Sequence, residues 1–110
     1  LYTRVDKVRK EGSILSSNTS TLRLKELTED LPDSIKEDFL IAHFFNPPRH
    51  MRLLELLAGP ATRPDAYDAV RHFADTRLGK EVVPCKDTPG FLANRIGVFW
   101  MVAALRHALE

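Results

Sequence analysis

The stretch Asp38–Ala58 constrains the fold more than any other part of this chain. Asp38-Phe39-Leu40-Ile41-Ala42-His43-Phe44-Phe45 reads as a strand that is apolar on both faces, and Asn46-Pro47-Pro48-Arg49-His50 follows it directly. Two prolines lack the N–H donors of a ladder, so no strand runs through this link. The link is also too short for the crossover helix that a parallel return needs. Met51–Ala58, MRLLELLA, is ambiguous: its residues favour helix, while its length and its place after a turn favour a second strand. If the two segments pair, they form an antiparallel hairpin centred near Arg49.

That pairing has a chemical consequence. His43 falls opposite Glu55, and period-two alternation puts both on one face, with Phe39, Ile41 and Phe45 beside His43 and Leu53 and Leu57 beside Glu55. Directly opposed Cβ atoms lie roughly 5 Å apart. An imidazole and a carboxylate thus meet inside apolar strands, where a lone charge is costly and each needs a partner. A carboxylate on one ring nitrogen fixes the tautomer and leaves the other nitrogen free, which is how a general base is built. Spacing alone fits equally a core His–Glu pair with no catalytic duty.

The remaining elements follow from local signals. Leu1, Val5 and Val8 share a helical face, with Gly12 placed to end that helix. Ser13–Ser17 reads as a short strand and Asn18–Thr21 as a polar break. Leu22–Leu31 is expected to be helical behind a Ser or Thr cap, with Pro32 as its stop. Gly59-Pro60 ends the second hairpin strand. Thr62–Leu78 predicts a helix whose buried stripe is Ala66, Val70, Phe73 and Ala74, closed by Gly79. Glu81–Cys85 is a strand, and Pro84 places it at an edge or end. A last helix, about Pro89–Leu109, is expected to start with Thr88 as N-cap and Pro89 in its first turn.

Strand–helix–strand order implies an α/β layer architecture, and the short central link makes the sheet mixed. The last helix is apolar nearly all round, through Phe91, Leu92, Ile96, Val98, Phe99, Trp100, Met101, Val102 and Leu105. Such a helix is buried on several sides, yet nothing else in 110 residues looks able to cover it. The chain also opens in what reads as mid-helix without Met, so an excised fragment is expected.

Composition excludes several classes. Sixteen Lys and Arg against fifteen Asp and Glu leave a formal charge of +1, which argues against a basic nucleic-acid binder. The uncharged run Ile96–Leu105 is too short to span a bilayer, and no signal-peptide pattern opens the chain. One cysteine, Cys85, excludes an internal disulfide and a Cys-only zinc site, and points to a reducing compartment. Lys86 beside it could lower its pKa, although a buried, inert thiol at the end of an apolar strand is the plainer reading. His50, His72 and His107 share no metal-ligand spacing, so no metal site is expected. Gly12, Gly59, Gly79, Gly90 and Gly97 form neither G-x-G-x-x-G nor a P-loop.

Three polar groups complete the candidates. Ser17-Asn18-Thr19-Ser20 follows a strand, at the end where open α/β sheets bind ligands, but also suits a turn and a helix cap. Asn46 carries the same two readings. Asn94 is a lone amide near the start of the apolar helix, fit either for a site or for a buried helix–helix bond.

Taken together, SSNTST (16–21), HFFNPPRHMRLLEL (43–56), LGK (78–80) and CKDTPGFLANRIG (85–97) resemble the 3-hydroxyacyl-CoA dehydrogenase family of fatty-acid β-oxidation. The resemblance covers essentially the whole chain, in order, and HFFNP followed by a Glu is specific. It implies an incomplete Rossmann-type three-layer domain: 1–88 as the second half of the NAD-binding domain, and 89–110 as the start of a helical C-terminal domain or a linker helix. It implies NAD as cofactor, an acyl-CoA substrate, and oxidation of its (S)-3-hydroxyl. On the matching positions, His43 would be the base, Glu55 its partner, Ser20 a contact to substrate and nicotinamide, Asn46 a contact near the nicotinamide ribose, and Asn94 a member of the catalytic set. The NPPRHMRLLE string looks closer to multifunctional members that also carry an enoyl-CoA hydratase module.

The family's Gly-rich fingerprint and acidic ribose residue have no counterpart here. The chain alone is therefore expected not to turn over, and to form a homo-oligomer through the 89–110 helix and a C-terminal domain. No nucleic-acid partner and no membrane span are expected. A bacterial cytoplasmic location is favoured over a mitochondrial matrix. Two other functions compete: an acyl-CoA-binding or assembly domain that kept the fold, and a related dehydrogenase for a non-CoA hydroxyacid.

Overall fold

A computed structural model describes all 110 residues. Along the chain the elements are α1 (Tyr2–Asp6), β1 (Leu15–Ser17), α2 (Leu24–Thr28), α3 (Asp33–Asp38), β2 (Phe39–Phe44), β3 (Leu53–Ala58), α4 (Pro64–Leu78), β4 (Glu81–Pro84) and α5 (Ala93–Leu109). The four strands form one sheet in the order β1-β2-β3-β4. The outer pairs β1–β2 and β3–β4 are parallel, and the central β2–β3 pair is antiparallel. The mixed sheet of an α/β Rossmann-type layer is therefore present, and the Met51–Ala58 ambiguity resolves as strand. Its helix-favouring residues are overruled by two ladders, one on each side.

Alternation along the hairpin builds two cores. On one face Phe39, Ile41 and Leu57 pack with Leu24 of α2, Ile35 of α3 and Phe91. On the other, Leu40, Ala42, Leu54 and Leu56 pack with Ala74, flanked by Tyr67, Val70 and Val82. Burying an aliphatic side chain contributes about 1.5–3 kcal/mol, so the residues of the hairpin hold the three layers together.

Several local expectations need correction. α1 ends at Asp6, well short of Gly12, whose positive φ of 71° serves a later turn. Between the helix and that turn, Arg9 points inward. Its guanidinium donates to Asp6, to the Ser13 carbonyl and, at 2.6 Å, to Asp38. Helix 22–31 shrinks to Leu24–Thr28, and no local Ser or Thr caps it. The cap comes from Asp87 across the sheet, whose carboxylate accepts the Leu24 and Lys25 N–H groups at 2.7 and 3.0 Å. Pro32 does not end α2, which stops at Thr28; it instead precedes α3 as its N-cap, and the single buried apolar residue of α3, Ile35, is too little for a periodic signal.

In α4 the buried residues are Ala66 and Ala74, while Phe73 is exposed. Tyr67 and Val70 pull the packed stripe away from Phe73, leaving it at the rim. Gly79 closes the helix in the left-handed conformation as expected, with φ 62°. β4 is an edge strand, and Pro84 is its last residue.

α5 begins at Ala93, not at Pro89, and Thr88 is not its cap. Gly90 and Phe91 take positive φ values of 72° and 48° and turn the chain so that Phe91 drops into the core. Beyond that point α5 buries nothing: Phe99, Trp100, Val102 and Leu105 are all more than half exposed. No helix is long and apolar enough to cross a membrane.

Candidate active site

The hairpin register places His43 directly opposite Glu55. Their side chains meet, with Nδ1 of His43 2.7 Å from Oε2 of Glu55. Glu55 has no exposed surface and His43 only 5%. The imidazole is walled by two aromatic rings, Phe45 at 4.5 Å and Phe91 at 5.8 Å between centroids. Its Nε2 makes no hydrogen bond within the chain and is the nitrogen left for a ligand. The second carboxylate oxygen of Glu55, Oε1, accepts the backbone N–H groups of Leu92 and Ala93 at 3.0 and 2.7 Å. The buried anion is thus satisfied on both sides, as a charge out of water must be.

His43 lines an open cleft of about 400 Å³ at the ends of β1 and β2, together with Asn18, Ser20, Phe44, Phe45, Asn46 and Pro48. Asn18 accepts the Phe44 N–H at 2.9 Å and so extends the β1–β2 pairing by one side-chain bond. The Ser20 hydroxyl and the Asn46 amide line the same cleft and have no partner in the chain. Asn94 sits beside this group rather than in it. Its Nδ2 donates to the Ser20 carbonyl at 2.9 Å, and it lines a neighbouring hollow with Thr21 and Val98. Four of the five predicted residues therefore gather directly, and Asn94 joins them through the Ser20 backbone. Its amide serves neither a helix–helix bond nor, here, the cleft.

Lys80 is the residue that the sequence pattern did not mark by its chemistry. Only 7% exposed, its ammonium donates to the Pro48 carbonyl and, at 2.7 Å, to the Met51 carbonyl. It also lies 5.9 Å from the Phe44 ring centroid. Lys80 thereby closes the turn that carries Asn46. A lysine just after a helix-ending glycine has no pattern to announce this; the two carbonyls come from elsewhere in the chain.

Cys85 lies near the same carboxylate. Burial, and then the charge of Glu55, push its thiol up to about 11. Lys86 does not activate it, and the inert reading stands.

The sequence model of the 3-hydroxyacyl-CoA dehydrogenase NAD-binding domain matches residues 1–88. This chain belongs to the 3-hydroxyacyl-CoA dehydrogenase family. It is 49% identical over its full length to a Rickettsia felis protein named "Putative fatty acid oxidation complex trifunctional enzyme", of which it covers 15%. It is 38% identical to the mitochondrial hydroxyacyl-coenzyme A dehydrogenase of Rattus norvegicus, covering 96% of this chain and 33% of the rat enzyme. Among solved structures, Mycobacterium tuberculosis FadB2 superposes with a TM-score of 0.86 at 31% identity, over 96% of this chain and 36% of that one. The 3-hydroxyacyl-CoA dehydrogenase NAD-binding fold is thus here, in a chain spanning a third or less of these curated relatives.

The family binds NAD, and the residues present fit one end of that cofactor. A nicotinamide carboxamide and a ribose need both donors and acceptors, and the free Ser20 hydroxyl and Asn46 amide offer both at the cleft. No Gly-rich phosphate cradle lies within the chain.

Proposed function

We propose that this chain supplies the base side of the active centre of an NAD-dependent (S)-3-hydroxyacyl-CoA dehydrogenase in fatty-acid β-oxidation. One observation carries the reading: the 2.7 Å bond from His43 to a fully buried Glu55, at a cleft lined by Ser20 and Asn46.

In this reading Glu55 holds Nδ1–H of His43, and the bare Nε2 takes the proton of the substrate 3-hydroxyl. Glu55 then stabilises the imidazolium that forms. NAD, when bound, would supply the hydride acceptor for the carbon that bears this hydroxyl. Ser20 holds the substrate oxygen near His43 and touches the nicotinamide end, Asn46 binds toward the ribose, and Asn94 keeps Ser20 in place. Residues 1–88 act as the second half of the NAD-binding domain and 89–110 as the entry to a helical domain. The other half of the cofactor site and the CoA site belong to other parts of the enzyme, so the 110 residues alone do not turn over. The enzyme works as a homo-oligomer, and a bacterial cytoplasm is its place.

The test uses a longer chain from the same gene that includes both flanks. Acetoacetyl-CoA-dependent oxidation of NADH is followed for that protein and for its His43→Gln variant. Loss of a positioned base lowers turnover by about a hundred- to ten-thousand-fold, and that drop is expected. A folded longer protein without turnover, or with turnover indifferent to His43, defeats the reading and leaves acyl-CoA binding or a non-CoA hydroxyacid in its place.

A further inference from the structure

We propose that the first backbone amides of α5, those of Leu92 and Ala93, set the tautomer of His43 by way of Glu55. The inference rests on the reading of His43 as base, and it concerns what makes that base competent.

A carboxylate is symmetric, so nothing in Glu55 alone says which oxygen faces which partner. The two N–H groups at 3.0 and 2.7 Å remove that freedom. They are donors only, so Oε1 is held as an acceptor on the side of α5, and the ionised carboxylate has no donor to offer at its other oxygen either. Oε2, facing His43 at 2.7 Å, is then an acceptor. Nδ1 must donate, and the neutral ring carries its lone pair on Nε2, toward the cleft. A helix start without a local cap has N–H groups to spare, and α5 has no side-chain cap of its own. Here Glu55 takes that place from the neighbouring strand.

The backbone is bent to make this possible. Phe91 holds a positive φ of 48°, outside the range that a bulky residue prefers. Successive N–H groups around such a left-handed residue converge on one anion. That conformation is strained for a residue with a bulky side chain. Its ring, 2% exposed and set against His43, helps hold the conformation in place.

The sharp consequence concerns Glu55→Gln. A glutamine amide has one acceptor and one donor end. Leu92 and Ala93 demand the oxygen, so the NH₂ turns to Nδ1 and forces the ring proton onto Nε2. The isosteric change therefore inverts the tautomer and removes the lone pair that the reaction needs. Glu55→Ala gives up the partner but lets the ring choose.

The experiment is ¹⁵N NMR of histidine-labelled full chain, in which bare and protonated ring nitrogens are distinct, alongside turnover of the longer enzyme. The expected result is Nδ1–H in the parent's neutral ring, Nε2–H in Glu55→Gln, and turnover at least tenfold lower for Gln than for Ala. An Nδ1–H ring in Glu55→Gln overturns the proposal, whatever the activity. If Glu55→Ala does not fold, the tautomer of the Gln variant decides alone. Tautomer inversion combined with activity indifferent to His43 would sustain this inference while defeating the dehydrogenase base.

Discussion

Asn94 donates from Nδ2 to the carbonyl oxygen of Ser20 at 2.9 Å, tying the first turn of α5 to the loop after β1. The bond keeps the Ser20 hydroxyl at the rim of the His43 cleft. A single hydrogen bond of this kind contributes about 1 kcal/mol. Asn94→Ala should therefore lower kcat/KM of the longer enzyme about fivefold while leaving the thermal midpoint nearly unchanged. Asn94→Gln, whose amide still donates, should recover part of the loss. A variant equal to the parent in kcat/KM would show that Ser20 needs no such tether.

Asp38 is the second junction, at the opposite end of β2. Burial works against its charge, but the guanidinium groups of Arg9 and Arg63 outweigh it and hold its carboxyl below the usual range. Arg9 approaches to 2.6 Å and Arg63 to 2.7 Å. A carboxylate with a depressed folded pKa stabilises the fold above its unfolded pKa, about 3.9. That stability is lost as pH falls through the lower folded value. Urea midpoints measured from pH 7 to pH 3 should decline along that acid limb, and Asp38→Asn should flatten it. At pH 7 the substitution should cost roughly 2 kcal/mol, because two guanidinium groups lose their anion near the surface.

α5 presents Phe99, Trp100 and Leu105 to solvent at 77, 69 and 63% exposure, and buries no residue of its own. Isolated apolar side chains on a surface are ordinary, but a contiguous helix of them drives association. Light scattering of the 110-residue chain should show dimers or larger species at micromolar concentration. Phe99→Glu with Trp100→Glu should shift it to monomer without changing far-UV circular dichroism. A monomeric parent would remove the case for self-association through this helix.

The sequence was most informative where two constraints met. Paired strands with a proline-blocked link leave one register, and that register alone places His43 against Glu55. Gly79 likewise needs only a local rule, since a left-handed residue must end α4. Long-range partners were invisible. Asp87 caps α2 and Glu55 caps α5, so neither helix start carries its own signal. The Thr88-Pro89 pattern pointed to a helix start, but the chain instead spends Gly90 and Phe91 on burying a ring and aiming two amides. Position alone marks Ser20, Asn46 and Asn94 as no more than polar groups near strand or helix ends, and only the family resemblance gives them roles. Their convergence needed the fold.

Lys80 offers the most direct check on how the turn after β2 serves the cleft. Its ammonium binds the carbonyls of Pro48 and Met51, both in the link between β2 and β3 that bears Asn46. Lys80→Met keeps most of the buried stem but removes the donors, leaving two carbonyls unpaired and Asn46 less well held. Pro48 and Met51 are exposed residues whose carbonyls can turn to water, so the loss should be about 1 kcal/mol and the thermal midpoint should fall by a few degrees. The functional effect should be uneven. On the proposed reading Asn46 binds the cofactor, so KM for NADH should rise more than kcat falls, and His43 chemistry should be largely intact. Lys80→Arg, longer and planar, should recover stability only in part, because a fork cannot replace a point charge between two converging carbonyls. Equal loss in kcat with KM unchanged would place Lys80 behind His43 and not behind Asn46.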